Sequence, residues 1–165
     1  MSDSADRESA FEAVELTGEA KENALRRIEE QVTEWGLSLP DSEPLLLHFG
    51  LGDYYTHGEA EFWIVNETDA GYCAKLMFVF EGQECPYHRH RTKHETFYVL
   101  RGRARMRVGS ETRVAEQGEV LPLEPGTAHS FAGEGGAALL LEISMPSVPG
   151  DSFFDDRRIG DNGVI

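Results

Sequence analysis

The chain has 165 residues, of which 40% are hydrophobic and 27% are charged, a balance typical of one soluble globular domain with a substantial core. Thirty acidic residues oppose 15 basic ones, and the formal net charge of −15 disfavours binding to nucleic-acid phosphates or anionic lipid. We therefore expect no nucleic-acid partner and no membrane partner.

The sequence also predicts a cytoplasmic location. No apolar run reaches the length of a transmembrane helix, and the polar, acidic start of the chain lacks the core of a signal peptide. Cys73 and Cys85 are too few for a disulfide framework, so both are expected to be reduced thiols. Whether Cys85 is reactive is left open.

The first forty residues have a helical pattern. Apolar residues recur at steps of three and four, at Leu25, Ile28, Val32 and Trp35. This spacing predicts an amphipathic helix that ends at Gly36. A capping box formed by Ser9 and Glu12 predicts an earlier helical start. We expect residues 9–36 to be helical and to pack on the outside of the fold, with a partner-binding helix as the alternative.

From Leu45 onward, short segments separated by glycine or proline predict β-strands. The candidates are Leu45–Phe49, Glu61–Val65, Tyr72–Phe80, Thr96–Leu100, Arg103–Val108, Thr112–Ala115, Val120–Leu123 and Ala137–Ser144. Such strands favour an all-β jelly roll or barrel. We predict a helical extension over residues 1–40 and a barrel domain over 41–165, with Phe153 and Phe154 of the tail docked on the barrel.

Three histidines and one glutamate form the most informative pattern. His88 and His90 are two residues apart, so both side chains point to one face of a strand. Glu95 follows a short turn, and the Pro125-Gly126 turn would direct His129 to the same interior. Glycines at positions 82, 102, 118 and 126 punctuate the pattern. Three imidazoles and a carboxylate suit one divalent first-row metal, so these four residues are the predicted metal ligands.

The two glycine-punctuated segments resemble the two signature motifs of the cupin superfamily. This resemblance implies a double-stranded β-helix, which is a jelly-roll barrel. Glu124 stands where these motifs usually have proline, and Gly133 where they have asparagine, but neither position is a ligand.

A narrower resemblance, from Phe49 to about Ile159, is to the D-lyxose ketol-isomerase family. It is carried mainly by Gly82-Gln83-Glu84-Cys85-Pro86-Tyr87-His88-Arg89-His90 and by Lys93-His94-Glu95-Thr96-Phe97, and the tail element Asp151-Ser152-Phe153-Phe154-Asp155-Asp156 also fits. The resemblance implies a sugar isomerase that interconverts D-lyxose and D-xylulose, or D-mannose and D-fructose. Mn²⁺ is the expected metal, with Fe²⁺, Zn²⁺, Co²⁺ and Ni²⁺ as alternatives. The superfamily resemblance also suggests a homodimer.

Lys93 and Glu142 are the candidate catalytic residues. Lys93 shares the face of Glu95 if the strand has begun by then, although spacing alone favours an exposed turn lysine. The resemblance to the isomerase family favours a catalytic role for Lys93, because the Lys-x-Glu-Thr-Phe element is matched residue for residue. Glu142 interrupts an apolar strand, where a carboxylate needs a partner or a catalytic role. Catalytic base and structural ion pair are equally supported, and Lys75 is a similar but weaker case.

Two other functions remain open at this stage. A three-histidine, one-glutamate site also suits an iron-dependent dioxygenase. A non-catalytic, metal-dependent sugar-binding cupin would use the same ligands without turnover. For an isomerase, the sequence does not distinguish proton transfer through an enediol from a metal-assisted hydride shift.

Overall fold

The computed structural model describes residues 12–165, and one long helix precedes the strands. Helix α1 spans Gly18–Glu34 and buries Ala24, Ile28 and Val32, which confirms the apolar stripe. Gly36 ends it with a positive φ of 70°. Ser9 lies outside the described residues. The expectation of one helical stretch over residues 9–36 is wrong at residues 15–17, where Glu15 forms a β-bridge with Leu47.

Eleven strands build two antiparallel sheets. They are β1 Leu45–Leu47, β2 Glu59–Glu67, β3 Tyr72–Val79, β4 Glu84–His90, β5 Glu95–Arg101, β6 Ala104–Val108, β7 Glu111–Ala115, β8 Val120–Leu123, β9 His129–Gly133, β10 Ala138–Ser144 and β11 Ser152–Phe154. The six-stranded sheet has the order β1-β2-β3-β10-β5-β8, and the five-stranded sheet has the order β11-β4-β9-β6-β7. This arrangement confirms the predicted all-β jelly-roll barrel with a helical extension.

Strands β4, β9 and β11 were not among the predicted strands. β4 contains Pro86 and polar side chains, and its pairing with β9 shifts register between Cys85 and His88. A proline and a bulge both hide the alternation by which a strand is recognised. Strand β1 also ends earlier than predicted, because Phe49 has a positive φ of 57°.

Apolar side chains form one core inside the barrel and a second one beneath α1. The inner core includes Val99, Met106 and Phe131. On the outer side of the six-stranded sheet, Ile28 of α1 belongs to the same cluster as Phe78. The expected position of the helix outside the barrel is therefore confirmed, while the division of the chain at residue 40 stays a prediction. Within residues 12–165 no helix combines the length and apolar character needed to cross a membrane.

The C-terminal tail docks on one end of the barrel, as predicted. β11 pairs with β4, so Phe154 lies opposite His88, and the ring of Phe154 stacks on that imidazole at 5.0 Å. The ring of Phe153 is covered by the guanidinium of Arg91. The tail thereby forms a wall beside the histidines.

Candidate metal centre

The three predicted histidines come together inside the barrel. His88 and His90 point inward from β4, and His129 begins the neighbouring strand β9 directly opposite His88. One ring nitrogen from each histidine lies within 4.8 Å of the other two. All three side chains are buried. The cluster therefore presents three imidazoles to a single point.

Hydrogen bonds orient all three imidazoles in the same way. Nδ1 of His88 lies 2.8 Å from the carbonyl oxygen of Pro86, Nδ1 of His90 3.0 Å from that of Asp151, and Nδ1 of His129 3.0 Å from that of Thr127. A carbonyl can only accept, so each Nδ1 carries the proton and each Nε2 keeps a free lone pair. This tautomer is the one that ligates a metal through Nε2.

The imidazoles of His88 and His90 are also held in the neutral form that metal binding requires. Burial, reinforced by the neighbouring imidazoles of His129 and His90, holds the pKa of His88 well below its usual range. Burial and the ammonium of Lys93 lower the pKa of His90 to about 4. Both rings are therefore neutral near pH 7, with lone pairs available.

Glu95 begins β5 and faces the histidines, as its spacing predicts. Its Oε1 lies 2.8 Å from His129 Nε2, and its Oε2 lies 3.6 Å from His90 Nε2. Among the described residues, neither Oε1 nor His129 Nε2 has a hydrogen-bond partner, so with His129 in the tautomer above two lone pairs face each other across this gap. Ligand atoms that share an octahedral ion at about 2.1 Å lie about 3 Å apart, so the gap suits a shared cation.

The charge balance of the surrounding cavity also favours a cation. The cavity encloses about 690 Å³, counting its mouth, and is lined by the carboxyl groups of Glu59, Glu61, Glu95 and Glu142 but by the ammonium groups of only Lys75 and Lys93. Buried charges require compensation. The three-histidine cluster in this acidic cavity is therefore suited to a divalent metal ion.

Lys93 is buried in the same cavity, with 6% of its surface exposed. Its Nζ lies 2.9 Å from Glu142 Oε1 and 3.1 Å from Glu95 Oε2. The sequence analysis gave a strand face shared with Glu95 as the reason for Lys93 to point into the cavity. That reason is wrong, because β5 begins only at Glu95. Instead, the Asp151 carboxylate accepts hydrogen bonds from the backbone N–H groups of Arg91, Thr92 and Lys93 at 2.9 to 3.2 Å and holds the turn.

Glu142 lies on β10 with 1% of its surface exposed, between two lysines. Lys93 is 2.9 Å from its Oε1, and Lys75 is 3.7 Å from its Oε2. Burial alone would raise the pKa of Glu142, but Lys75 and Lys93 outweigh burial and lower it. The carboxylate is thus ionised. It also forms ion pairs, which the sequence analysis gave as the alternative to a catalytic role.

Sequence reasoning missed Glu59 and Glu61. Both are buried on β2, and Lys75 Nζ lies 2.7 Å from Glu61 Oε1. Burial would lower the pKa of Lys75, but the carboxylates of Glu142, Glu61 and Glu59 raise it well above its usual range. A lysine inside an apolar strand such as β3 requires a buried acidic partner. Lys75 was therefore the feature of the sequence from which a buried glutamate could have been predicted.

Cys85 lines the cavity but has no sign of reactivity. Burial, together with the charge of Glu59, raises the pKa of its thiol well above the usual range. The reactive form of cysteine is the thiolate, so this thiol stays protonated. Both cysteines are free and buried.

Comparison with known proteins places this site in a family. The family described as Cupin domain matches residues 75–144. The D-lyxose ketol-isomerase of Thermofilum sp. is 30% identical over 176 residues, which cover 88% of this chain and 94% of that protein. This chain belongs to the D-lyxose ketol-isomerase family. As a member of that family within the cupins, it is a sugar isomerase.

One further relative agrees with this family assignment, and one solved structure shares the fold. The D-lyxose/D-mannose isomerase of Thermosediminibacter oceani is 36% identical over 139 residues, covering 67% of this chain and 75% of that protein. The crystal structure of the L-ribose isomerase from Cellulomonas parahominis superimposes with a TM-score of 0.69 at 14% identity, covering 87% of this chain and 94% of that one. The D-lyxose ketol-isomerase family member described here therefore shares its fold with that enzyme.

His129→Ala is expected to abolish stoichiometric binding of Mn²⁺, because it removes one of the three converging Nε2 donors. The amount of metal retained after loading and desalting, measured by mass spectrometry of the digested protein, checks this expectation. His94→Ala is the matched control, since that side chain is 39% exposed and pairs with Glu124. Full metal content in the His129 variant would contradict the site.

Proposed function

We propose that the protein is a divalent-metal-dependent aldose–ketose isomerase that interconverts D-lyxose and D-xylulose, with D-mannose and D-fructose as a second substrate pair. The names of the curated relatives support this substrate class. The observation that carries the proposal is the bridge formed by Lys93, which joins the buried carboxylate Glu142 to Glu95 of the metal centre. We further propose that the protein acts in the cytoplasm, where its cysteines would stay reduced.

His88, His90, Glu95 and His129 would hold the metal, and Mn²⁺ is the ion we propose. A carboxylate among imidazoles shifts preference toward harder first-row ions, with Fe²⁺, Zn²⁺, Co²⁺ and Ni²⁺ as alternatives. When bound, a divalent cation supplies Lewis acidity that polarises the sugar carbonyl. Burial would raise the pKa of Glu95, but the ammonium of Lys93 lowers it well below its usual range. An ionised Glu95 and the neutral rings of His88 and His90 are the protonation states that such binding needs.

Glu142 is the proposed base. The reaction moves one hydrogen from C2 to C1 and one proton from O2 to O1, with no net gain or loss of atoms. One group can take the proton from C2 and return it to C1. The carboxylate of Glu142 is ionised. It is linked to the metal centre by Lys93, whose Nζ contacts both Glu142 and Glu95. Lys75 contacts the other oxygen of Glu142, which leaves the carboxylate fixed in position.

Lys93 is proposed to stabilise the negative charge that develops on the sugar oxygens when the C2 proton leaves. Its pKa is raised because Glu142 and Glu95 outweigh burial, so the side chain remains an ammonium ion. A fixed cation in a buried site stabilises developing charge more effectively than water, since it needs no reorganisation. Lys93 and Glu142 therefore act as a pair, with the base and the counter-charge 2.9 Å apart.

The first experiment is proton NMR of D-lyxose in D₂O with Mn²⁺-loaded protein. We expect D-xylulose that carries deuterium at C1, because a proton held on Glu142 can exchange with solvent before its return. Metal-stripped protein is the control and should regain activity when Mn²⁺ is restored. Formation of D-xylulose without deuterium would favour a hydride shift, and absence of any ketose from D-lyxose and D-mannose would contradict the isomerase proposal.

Glu142→Gln is expected to lower kcat by about 10²- to 10⁴-fold, the usual contribution of a general base, with metal content unchanged. Glutamine keeps the shape but cannot accept the C2 proton. Glu111→Gln, on the exposed part of β7, is the matched control and should behave as wild type. Steady-state kinetics and metal analysis on the same preparations check both outcomes, and a wild-type kcat in the Glu142 variant would remove it as the base.

We also propose that the protein is a homodimer that pairs through the six-stranded sheet. On the outer face of this sheet, beyond α1, Ile143 of β10 is 54% exposed and lies between Ala74 and Thr96 of the adjacent strands. Val120 on β8 is 60% exposed on the same face, opposite Tyr98. Exposed apolar side chains on a central strand are typical of a surface covered by another protein.

Ile143→Lys is expected to shift the protein from dimer to monomer, because a dimer would bury the new charge in an apolar interface. Sedimentation velocity over a range of protein concentrations measures the change. Thr112→Lys, at an exposed position of the opposite sheet, is the control. A wild-type protein that sediments as a monomer at all concentrations would contradict the dimer.

A further inference from the structure

Two buried glutamates in the cavity have no role in the steps described so far. Glu59 and Glu61 are two residues apart on β2, so both side chains point into the barrel. They are 3% and 4% exposed, and both line the same cavity as the metal centre. Within residues 12–165, Oε2 of each carboxyl group has no hydrogen-bond partner. Buried oxygens without partners are uncommon and costly, and inside a cavity they indicate a ligand that supplies the missing contacts.

The two carboxyl groups differ in their surroundings. Glu61 is paired with Lys75 at 2.7 Å. Glu59 forms no ion pair within the described part of the chain. Burial first, and then the charge of Glu61, raises the pKa of Glu59 well above its usual range, and the more distant Lys75 offsets this only partly. The pair therefore combines Glu61, held against the Lys75 ammonium group, with Glu59, whose raised pKa favours the protonated carboxyl group, which can donate a hydrogen bond as well as accept one.

The pair lies at a distance from the metal centre that a small ligand can span. In the six-stranded sheet, β2 is separated from β5, which carries Glu95, by β3 and β10. Lys75 Nζ lies 2.7 Å from Glu61 Oε1 and 3.7 Å from Glu142 Oε2, so a single ammonium group separates Glu61 from the proposed base. Lys75 on β3 and Glu142 on β10 lie between them in the same cavity. A ligand held at the metal centre and beside Glu142 would therefore extend its far end toward Glu61 and Glu59.

We propose that Glu59 and Glu61 bind the hydroxyl groups at the end of the sugar remote from its carbonyl carbon and so determine which sugars are accepted. This inference rests on the proposed function, which places C1 and C2 beside Glu142. A sugar hydroxyl both donates and accepts a hydrogen bond. The Oε2 atoms of the two carboxyl groups, which have no partner among the described residues, can accept from such a hydroxyl, and a protonated Glu59 can also donate to it. A sugar without the remote hydroxyl would leave buried oxygens unpaired, which is the strongest basis for rejecting an analogue.

The test compares D-lyxose with 5-deoxy-D-lyxose, which lacks only the hydroxyl at C5. Wild-type protein should prefer D-lyxose by about tenfold or more in kcat/KM, as expected for a hydrogen bond to a buried polar group. Glu59→Leu should reduce this preference to about twofold or less, chiefly by raising KM for D-lyxose. Glu59→Gln, which keeps a donor and an acceptor, should retain most of the preference.

Glu67→Leu, at an exposed position on β2, is the control and should keep the wild-type ratio. Isothermal titration calorimetry of both sugars with Mn²⁺-loaded protein separates this inference from the proposed function, because binding does not require turnover. Binding of D-lyxose without turnover would overturn the isomerase proposal alone. An unchanged preference in Glu59→Leu, or wild-type protein that does not distinguish the two sugars, would overturn the role of the glutamate pair.

Discussion

The site depends on compensating buried negative charge. Four carboxyl groups line one cavity, and each would lose several kcal/mol of solvation energy if it were ionised there without a partner. Two lysines provide most of the compensation: Lys75 contacts Glu61 and Glu142, and Lys93 contacts Glu142 and Glu95. Removing one partner of a buried ion pair costs about 3–5 kcal/mol, so the lysines hold the cavity together as well as serving its chemistry.

The two sheets make different contributions to this site. The five-stranded sheet presents the imidazoles from β4 and β9, while the six-stranded sheet presents the carboxyl groups and Lys75 from β2, β3, β10 and β5. The turn at residues 91–94 carries the chain from β4 to β5, and therefore from one sheet to the other. Asp151 fixes this turn by accepting its backbone N–H groups, and its own carbonyl orients His90. One residue thus joins the metal-binding face to the position of Lys93.

The parts of the site that follow from local spacing were predictable, and those that depend on distant contacts were not. His88 and His90 share a face because they are two residues apart. Glu95 and His129 each follow a turn and are the first residues of the next strand. The direction of Lys93 depends on Asp151, 58 residues farther along the chain. The buried position of Glu61 depends on its contact with Lys75 from the next strand. A glutamate at the start of a strand usually faces solvent, so nothing local marked Glu59 and Glu61 as interior.

The distribution of charge along the cavity matches the chemistry of an isomerase better than a uniform acidic pocket would. Near the histidines, lysines keep Glu95 and Glu142 ionised, so one can ligate and the other can accept a proton. Toward β2 the lysines are outnumbered, and Glu59 instead has a raised pKa and can hold its proton. Two groups of the same type can perform different functions in one site when their environments shift their pKa values apart. Here the ionised end suits the polarised carbonyl of a sugar, and the end where the pKa of Glu59 is raised suits its uncharged hydroxyl groups.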